Sequence, residues 1–83
     1  MSASILFRSL THAQRGIRIL SAGGIPATLV RAPAGLSDRG CAYGALVAPR
    51  RLTRALQTLA DREVPHGKVF LPDEDGGYRE AAT

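Results

Sequence analysis

The chain has 83 residues, enough for one small domain, and its 45% hydrophobic content is ordinary for a globular protein. No apolar run approaches the roughly 18 residues that a membrane-spanning helix needs. The first residues, 1–4, lack the basic start and long apolar stretch of a secretory signal. We therefore expect a cytoplasmic protein with no membrane association, in which Cys41, the only cysteine, stays reduced.

Positive charge is concentrated in the first 72 residues. Ten basic and three acidic residues precede Asp73, a net charge of +7, whereas four acids and one arginine from Asp73 onward give −3. We predict a single domain over residues 1–72 and an acidic, flexible C-terminal tail over residues 73–83. The basic body suits an acidic protein, an anionic small molecule or RNA, although arginines that only solubilise helix surfaces are a simpler explanation.

The chain begins with a predicted strand and helix. Residues 4–8 contain the continuous apolar run of a strand that lies inside a sheet. A helix is then expected to extend to about Ala22. At its start Thr11, with Gln14 three residues later, fits a capping box, and Ser9 is a competing cap.

Glycine and proline predict how this helix packs, ends and leads into a second strand. Gly16 costs helix propensity, so we expect it to allow a close approach of the helix to the sheet. The pair at positions 23–24 supplies the left-handed conformation of a helix end. The second strand is predicted over residues 25–32. It is placed at a sheet edge because Pro26 donates no backbone hydrogen bond.

The second half of the chain predicts a strand over residues 42–48, a helix from Pro49 to about Arg62, and a strand over residues 68–71. Proline fits the first turn of a helix. The element order then indicates an α+β sandwich, the ferredoxin-like βαββαβ arrangement. It would have a four-stranded antiparallel sheet, in the order 4-1-3-2, with two helices on one face. The uncovered face would be available for a homodimer.

Cys41 is the candidate reactive atom. A thiol is nucleophilic only as the thiolate, and the charge of Arg39 would favour that form. Gly40 and Ser37 belong to a polar loop through which the thiol could be reached. Tyr43 would share a strand face with the cysteine and wall the site, or pack at the rim of the sheet. The alternative is a cysteine buried as a small apolar residue.

Other chemistry has weaker support in the residues. One cysteine with His12 and His66 matches no metal-ligand spacing, so no metal site is predicted. Either histidine could assist the thiol only if the fold brought it to Cys41, and surface or turn positions are the simpler interpretation. The aromatic and basic motif of sheet-based RNA recognition is absent, which argues against an RNA partner.

The order of several short motifs resembles a family of small bacterial proteins described as selenium or sulfur carrier-like. The motifs are Ser9-Leu10-Thr11-His12-Ala13 at the helix start, Gly24-Ile25 at the helix exit, Pro33, and Leu36-Ser37-Asp38-Arg39-Gly40-Cys41 before the third strand. The resemblance spans about residues 5–60. Gly40 precedes the cysteine here, where the family pattern has a glycine after it.

The resemblance implies a carrier rather than an enzyme. Cys41 would hold sulfur or selenium as a covalent persulfide or selenosulfide, without another cofactor, and pass it between donor and acceptor proteins. Arg39 would stabilise the anion, and the loop over residues 36–40 would give access. The alternative from the residues alone is a small interaction or regulatory module with an incidental cysteine.

Overall fold

A computed structural model of the chain describes residues 2–31, 43–73 and 77–81. Within these ranges the chain forms five strands, two α-helices and one 3₁₀ turn. In chain order they are β1 (Ala3–Phe7), α1 (Leu10–Ala22), β2 (Thr28–Arg31), β3 (Tyr43–Val47), the 3₁₀ turn (Pro49–Arg51), α2 (Leu52–Asp61), β4 (Val69–Pro72) and β5 (Tyr78–Glu80). Neither α-helix is long and apolar enough to cross a bilayer.

The strands form one sheet in the order β2-β3-β1-β4-β5, and every neighbouring pair is antiparallel. The predicted order of the first four strands is confirmed, and β2 lies at an edge as Pro26 suggests. The predicted count of four strands is wrong, because Tyr78–Glu80 pair with β4. The fold is therefore α+β, with two helices and five antiparallel strands, and the four-stranded ferredoxin-like layout is not confirmed.

One face of the sheet and both helices enclose the hydrophobic core. Ile5 and Phe7 of β1 are fully buried together with Leu20 of α1 and Leu59 of α2. A Cβ atom on Gly16 would lie only 2.7 Å from Cζ of Phe7. The expected role of this glycine is confirmed, because α1 can approach the sheet this closely only where a side chain is missing.

The other face of the sheet is partly covered by its own side chains. Ser4 and Leu6 of β1 are only 3% and 1% exposed there. Leu6 lies over Gly44 of β3, since a Cβ atom on that glycine would be 3.1 Å from Cδ2 of the leucine. The centre of this face is therefore less open than a bare sheet would be.

Ser9, not Thr11, begins α1. The hydroxyl oxygen of Ser9 accepts a hydrogen bond from the backbone nitrogen of His12 at 3.2 Å, and Ser9 has the extended backbone of an N-cap. The capping box of Thr11 and Gln14 is therefore wrong: Thr11 lies inside the first helical turn. Ser9 is the cap because it lies two residues after β1, where the backbone is still extended.

Both helices end in the same hydrogen-bonding motif. Gly24 after α1 has a φ of 81°, and Glu63 after α2 has a φ of 57°. The next residue in each case, Ile25 or Val64, donates a backbone hydrogen bond at 2.9 Å to a carbonyl five residues earlier. Both side chains are buried. This explains why β2 starts at Thr28 and not at position 25: Ile25 belongs to the helix end.

Candidate functional site

Three residues in neighbouring strands mark one end of the sheet. Arg31, the last residue of β2, is paired with Tyr43, the first residue of β3, and Tyr43 is paired in turn with Phe7, the last residue of β1. The chain leaves β2 for residues 32–42 and returns to β3 at this end. We call it the Tyr43 end of the sheet.

The N-terminus of α1 lies at the same end, because Ser9 follows Phe7 by two residues. The hydroxyl oxygen of Ser9 is 2.7 Å from Nδ1 of His12 and also caps the helix. The imidazole is thus tied to the first turn of α1 by its own neighbour. Unpaired backbone N–H groups give this helix end a partial positive charge.

His66 comes to the Tyr43 end from the other side of β1. The backbone nitrogen of Gly67 donates to the carbonyl of Leu6 at 2.7 Å, which places the residues before β4 beside the end of β1. Nδ1 of His66 donates to the carbonyl of Gly67 at 2.7 Å. The topology therefore brings both histidines of the chain to the end of the sheet where residues 32–42 begin and end.

Tyr43 is partly buried and packs against the core, and Cζ of Arg31 lies 5.9 Å from the centre of its ring. This distance permits a cation–π contact. The expectation that Tyr43 packs at the sheet rim agrees with this position. The sequence analysis did not identify Arg31 as a candidate site residue. It could have been found as the basic residue at the end of the strand that precedes the cysteine-containing segment.

The remaining predicted site residues, Cys41, Arg39, Gly40 and Ser37, lie outside the described residues. Tyr43 is two positions after the cysteine in the sequence. The described part of the chain contains no group of three or more histidine, cysteine or acidic side chains that could hold a metal ion. What the described residues provide at the Tyr43 end is positive charge, from Arg31 and the N-terminus of α1, and two imidazoles.

Comparison with known proteins identifies a family. No curated protein and no solved structure matches the chain significantly. A family model described as "Putative Se/S carrier protein-like" matches residues 3–71, from the first strand to the fourth. The matched region is most of the chain and includes Cys41, so the protein belongs to this Se/S carrier-like family.

Proposed function

We propose that the protein is a sulfur or selenium carrier that holds one chalcogen atom on Cys41. Membership of the Se/S carrier-like family is the observation that carries this proposal. The chain has a single cysteine, so the thiol that such a carrier needs has one candidate. The atom would be received from a donor protein and passed to an acceptor protein.

The proposed loading step is a thiol exchange that needs no external oxidant. The Cys41 thiolate attacks the outer sulfur of a donor persulfide. The donor S–S bond breaks, a new S–S bond forms on Cys41, and the donor cysteine leaves as a thiolate. A selenosulfide donor would transfer selenium in the same way. An acceptor thiolate then reverses the step by attacking the outer atom on Cys41.

Charge at the Tyr43 end supports a thiolate in the proposal. An extended chain spans at most about 3.6 Å per residue, so two residues keep Cys41 within about 7 Å of Tyr43, measured between Cα atoms. Arg31 and the N-terminus of α1 lie at that end of the sheet. Nearby positive charge lowers the pKa of a thiol and favours the reactive form. Arg39 is proposed to add to this charge.

His12 is proposed to manage the proton in this reaction. Its Nδ1 atom is occupied by Ser9, and no described residue is bonded to its Nε2 atom. A neutral imidazole whose ring is held at one nitrogen can take up a proton at the other and later deliver it from the imidazolium. In this proposal His12 takes the proton of the Cys41 thiol, which leaves the attacking thiolate, and delivers that proton to the donor thiolate that leaves during loading.

Intact-mass measurement after incubation with a cysteine desulfurase and cysteine tests the proposed function. Wild-type protein should gain the mass of one sulfur atom, and the gain should disappear on treatment with a reducing thiol. The matched control is Cys41→Ser, which should gain nothing and retain the wild-type circular dichroism spectrum. A wild-type protein that stays unloaded in the presence of active desulfurase would refute the carrier function.

A second function is a small interaction or regulatory module with an incidental cysteine. In that case Cys41→Ser would have no effect on function.

A homodimer through the sheet face opposite the helices has less apolar surface available than a bare sheet would offer, because Ser4 and Leu6 at the centre of that face are already buried. Such a homodimer stays a prediction, which the mass of the protein in solution would test.

A further inference from the structure

A groove of about 330 Å³ separates the last turns of the two helices, away from the Tyr43 end. Its lining is Arg18, Ile19, Ala22 and Gly23 from α1 and Thr58 and Arg62 from α2. Half-buried Ile19 and exposed Ala22 give it an apolar lining, and the two arginines that also line it are exposed. Grooves that combine apolar side chains with charged groups are typical of sites that receive a segment of another protein.

The guanidinium groups of Arg18 and Arg62 have no ion pair or side-chain hydrogen bond with another described residue. Asp61 and Glu63 flank Arg62 in the sequence but form no described ion pair with it. The hydroxyl of Thr58 donates to the carbonyl of Arg54 at 2.8 Å, so its proton is committed within α2. Hydrogen-bond donors for a ligand in the groove therefore come from the two arginines.

We infer that this groove docks an acidic segment of a partner protein, with an aliphatic side chain against Ile19 and Ala22 and carboxylates at Arg18 and Arg62. Arginine pairs with carboxylates through two parallel hydrogen bonds, so two guanidinium groups select a segment with spaced acidic residues. The inference rests on the proposed carrier function and deepens it, because a carrier has to bind its donor and acceptor proteins.

RNA fits the groove less well than an acidic segment. Recognition of single-stranded RNA depends on aromatic side chains on which bases stack, and the groove lining contains none. The aromatic residues that the structure describes are elsewhere: Phe7, Tyr43, Phe70 and Tyr78 all belong to strands. The aliphatic lining formed by Ile19 and Ala22 is better matched to a leucine-like side chain.

The test is an NMR titration of the Cys41→Ser protein with a short synthetic peptide of alternating Glu-Glu and Leu-Leu pairs. Amide shifts should centre on Ile19, Gly23 and Thr58. Arg18→Gln combined with Arg62→Gln should weaken binding about tenfold, as expected for the loss of two exposed ion pairs. The matched control, Arg8→Gln with Arg79→Gln, removes the same charge outside the groove and should change the affinity by less than about twofold.

Three results would overturn the inference: no binding of the acidic peptide, an equal loss of affinity in both double variants, or oligouridylate binding in the groove as tightly as the peptide. A matching peptide with lysine in place of glutamate should cause no shifts in the groove. Because the titration uses Cys41→Ser, its failure leaves sulfur loading untouched. A failure of loading would likewise leave the docking result unchanged.

Discussion

The side-chain oxygen of Ser9 lies 2.7 Å from Nδ1 of His12 and 3.2 Å from the backbone nitrogen of the same residue. One hydroxyl group therefore both caps α1 and orients an imidazole. Because Ser9 follows Phe7 by two residues, this pair lies at the end of the sheet where residues 32–42 begin and end. The start of α1 is therefore at the Tyr43 end of the sheet.

Ser9→Ala should lower the free energy of unfolding by about 1 kcal/mol, because the N-cap hydrogen bond is lost. Thr11→Ala is the matched control and should change it by less than about 0.5 kcal/mol, since Thr11 is exposed in the first helical turn. Urea denaturation of both variants gives the two values. A larger loss of stability in Thr11→Ala than in Ser9→Ala would mean that Thr11, not Ser9, caps the helix.

Gly16→Ala should destabilise the protein by about 1–2 kcal/mol. The added Cβ atom would be 2.7 Å from a ring carbon of the fully buried Phe7, and the cost of overpacking exceeds the gain in helix propensity. Gly23→Ala serves as the comparison, because its Cβ atom would meet nothing closer than 3.5 Å at a negative φ. The midpoint of thermal unfolding should be clearly lower for Gly16→Ala than for Gly23→Ala. Equal midpoints would contradict the close approach of α1 to the sheet.

Glu63→Gly and Gly24→Ala should have opposite effects on stability. Both positions have positive φ, which costs a residue with a Cβ atom about 1 kcal/mol or more and costs glycine little. Glycine at position 63 should therefore raise the free energy of unfolding by about 0.5–1 kcal/mol, after allowance for the greater freedom of the unfolded chain. Alanine at position 24 should lower it by about 1 kcal/mol. Denaturation curves give both values. A change in the free energy of unfolding with the same sign in both variants would contradict the shared helix-end motif.

Arg31→Gln should slow the alkylation of Cys41 by iodoacetamide at neutral pH by a factor of about 1.5–5. The factor corresponds to the loss of one exposed charge interaction of about 0.2–1 kcal/mol with the thiolate. Arg79→Gln, on β5, removes an equal charge elsewhere and should leave the rate nearly unchanged. Equal rates in all three proteins would show that Arg31 does not act on the thiol.

Local sequence patterns predict most of the elements and miss the features that depend on neighbours in space. The apolar run of residues 5–7 and the Gly23-Gly24 pair indicate β1 and the end of α1 correctly. Ile25 looks like the start of a strand but is the buried residue of a helix end. β5 has three exposed residues beside an acidic stretch, so nothing in its own sequence distinguishes it from a tail.

For the candidate site, too, the sequence identifies single residues and misses how they are arranged in space. Cys41 is identifiable as the only cysteine, and it lies within residues 3–71, which the family model matches. Any two of Arg31, His12 and His66 are separated by 19 to 54 positions along the chain, so no spacing rule joins them. They lie at one end of the sheet because β1 lies between β3 and β4, which is a consequence of strand order and register.

The most direct measurement of the central claim follows one labelled sulfur atom onto the protein and off again. Protein loaded by a desulfurase with radioactive cysteine is separated from the enzyme, counted, and then exposed to an excess of reducing thiol. A carrier should hold close to one labelled atom per chain and release all of it as sulfide, while Cys41→Ser holds none. Equal label on wild-type protein and Cys41→Ser, or label that the thiol does not release, would contradict the assignment of Cys41 as the carrier site.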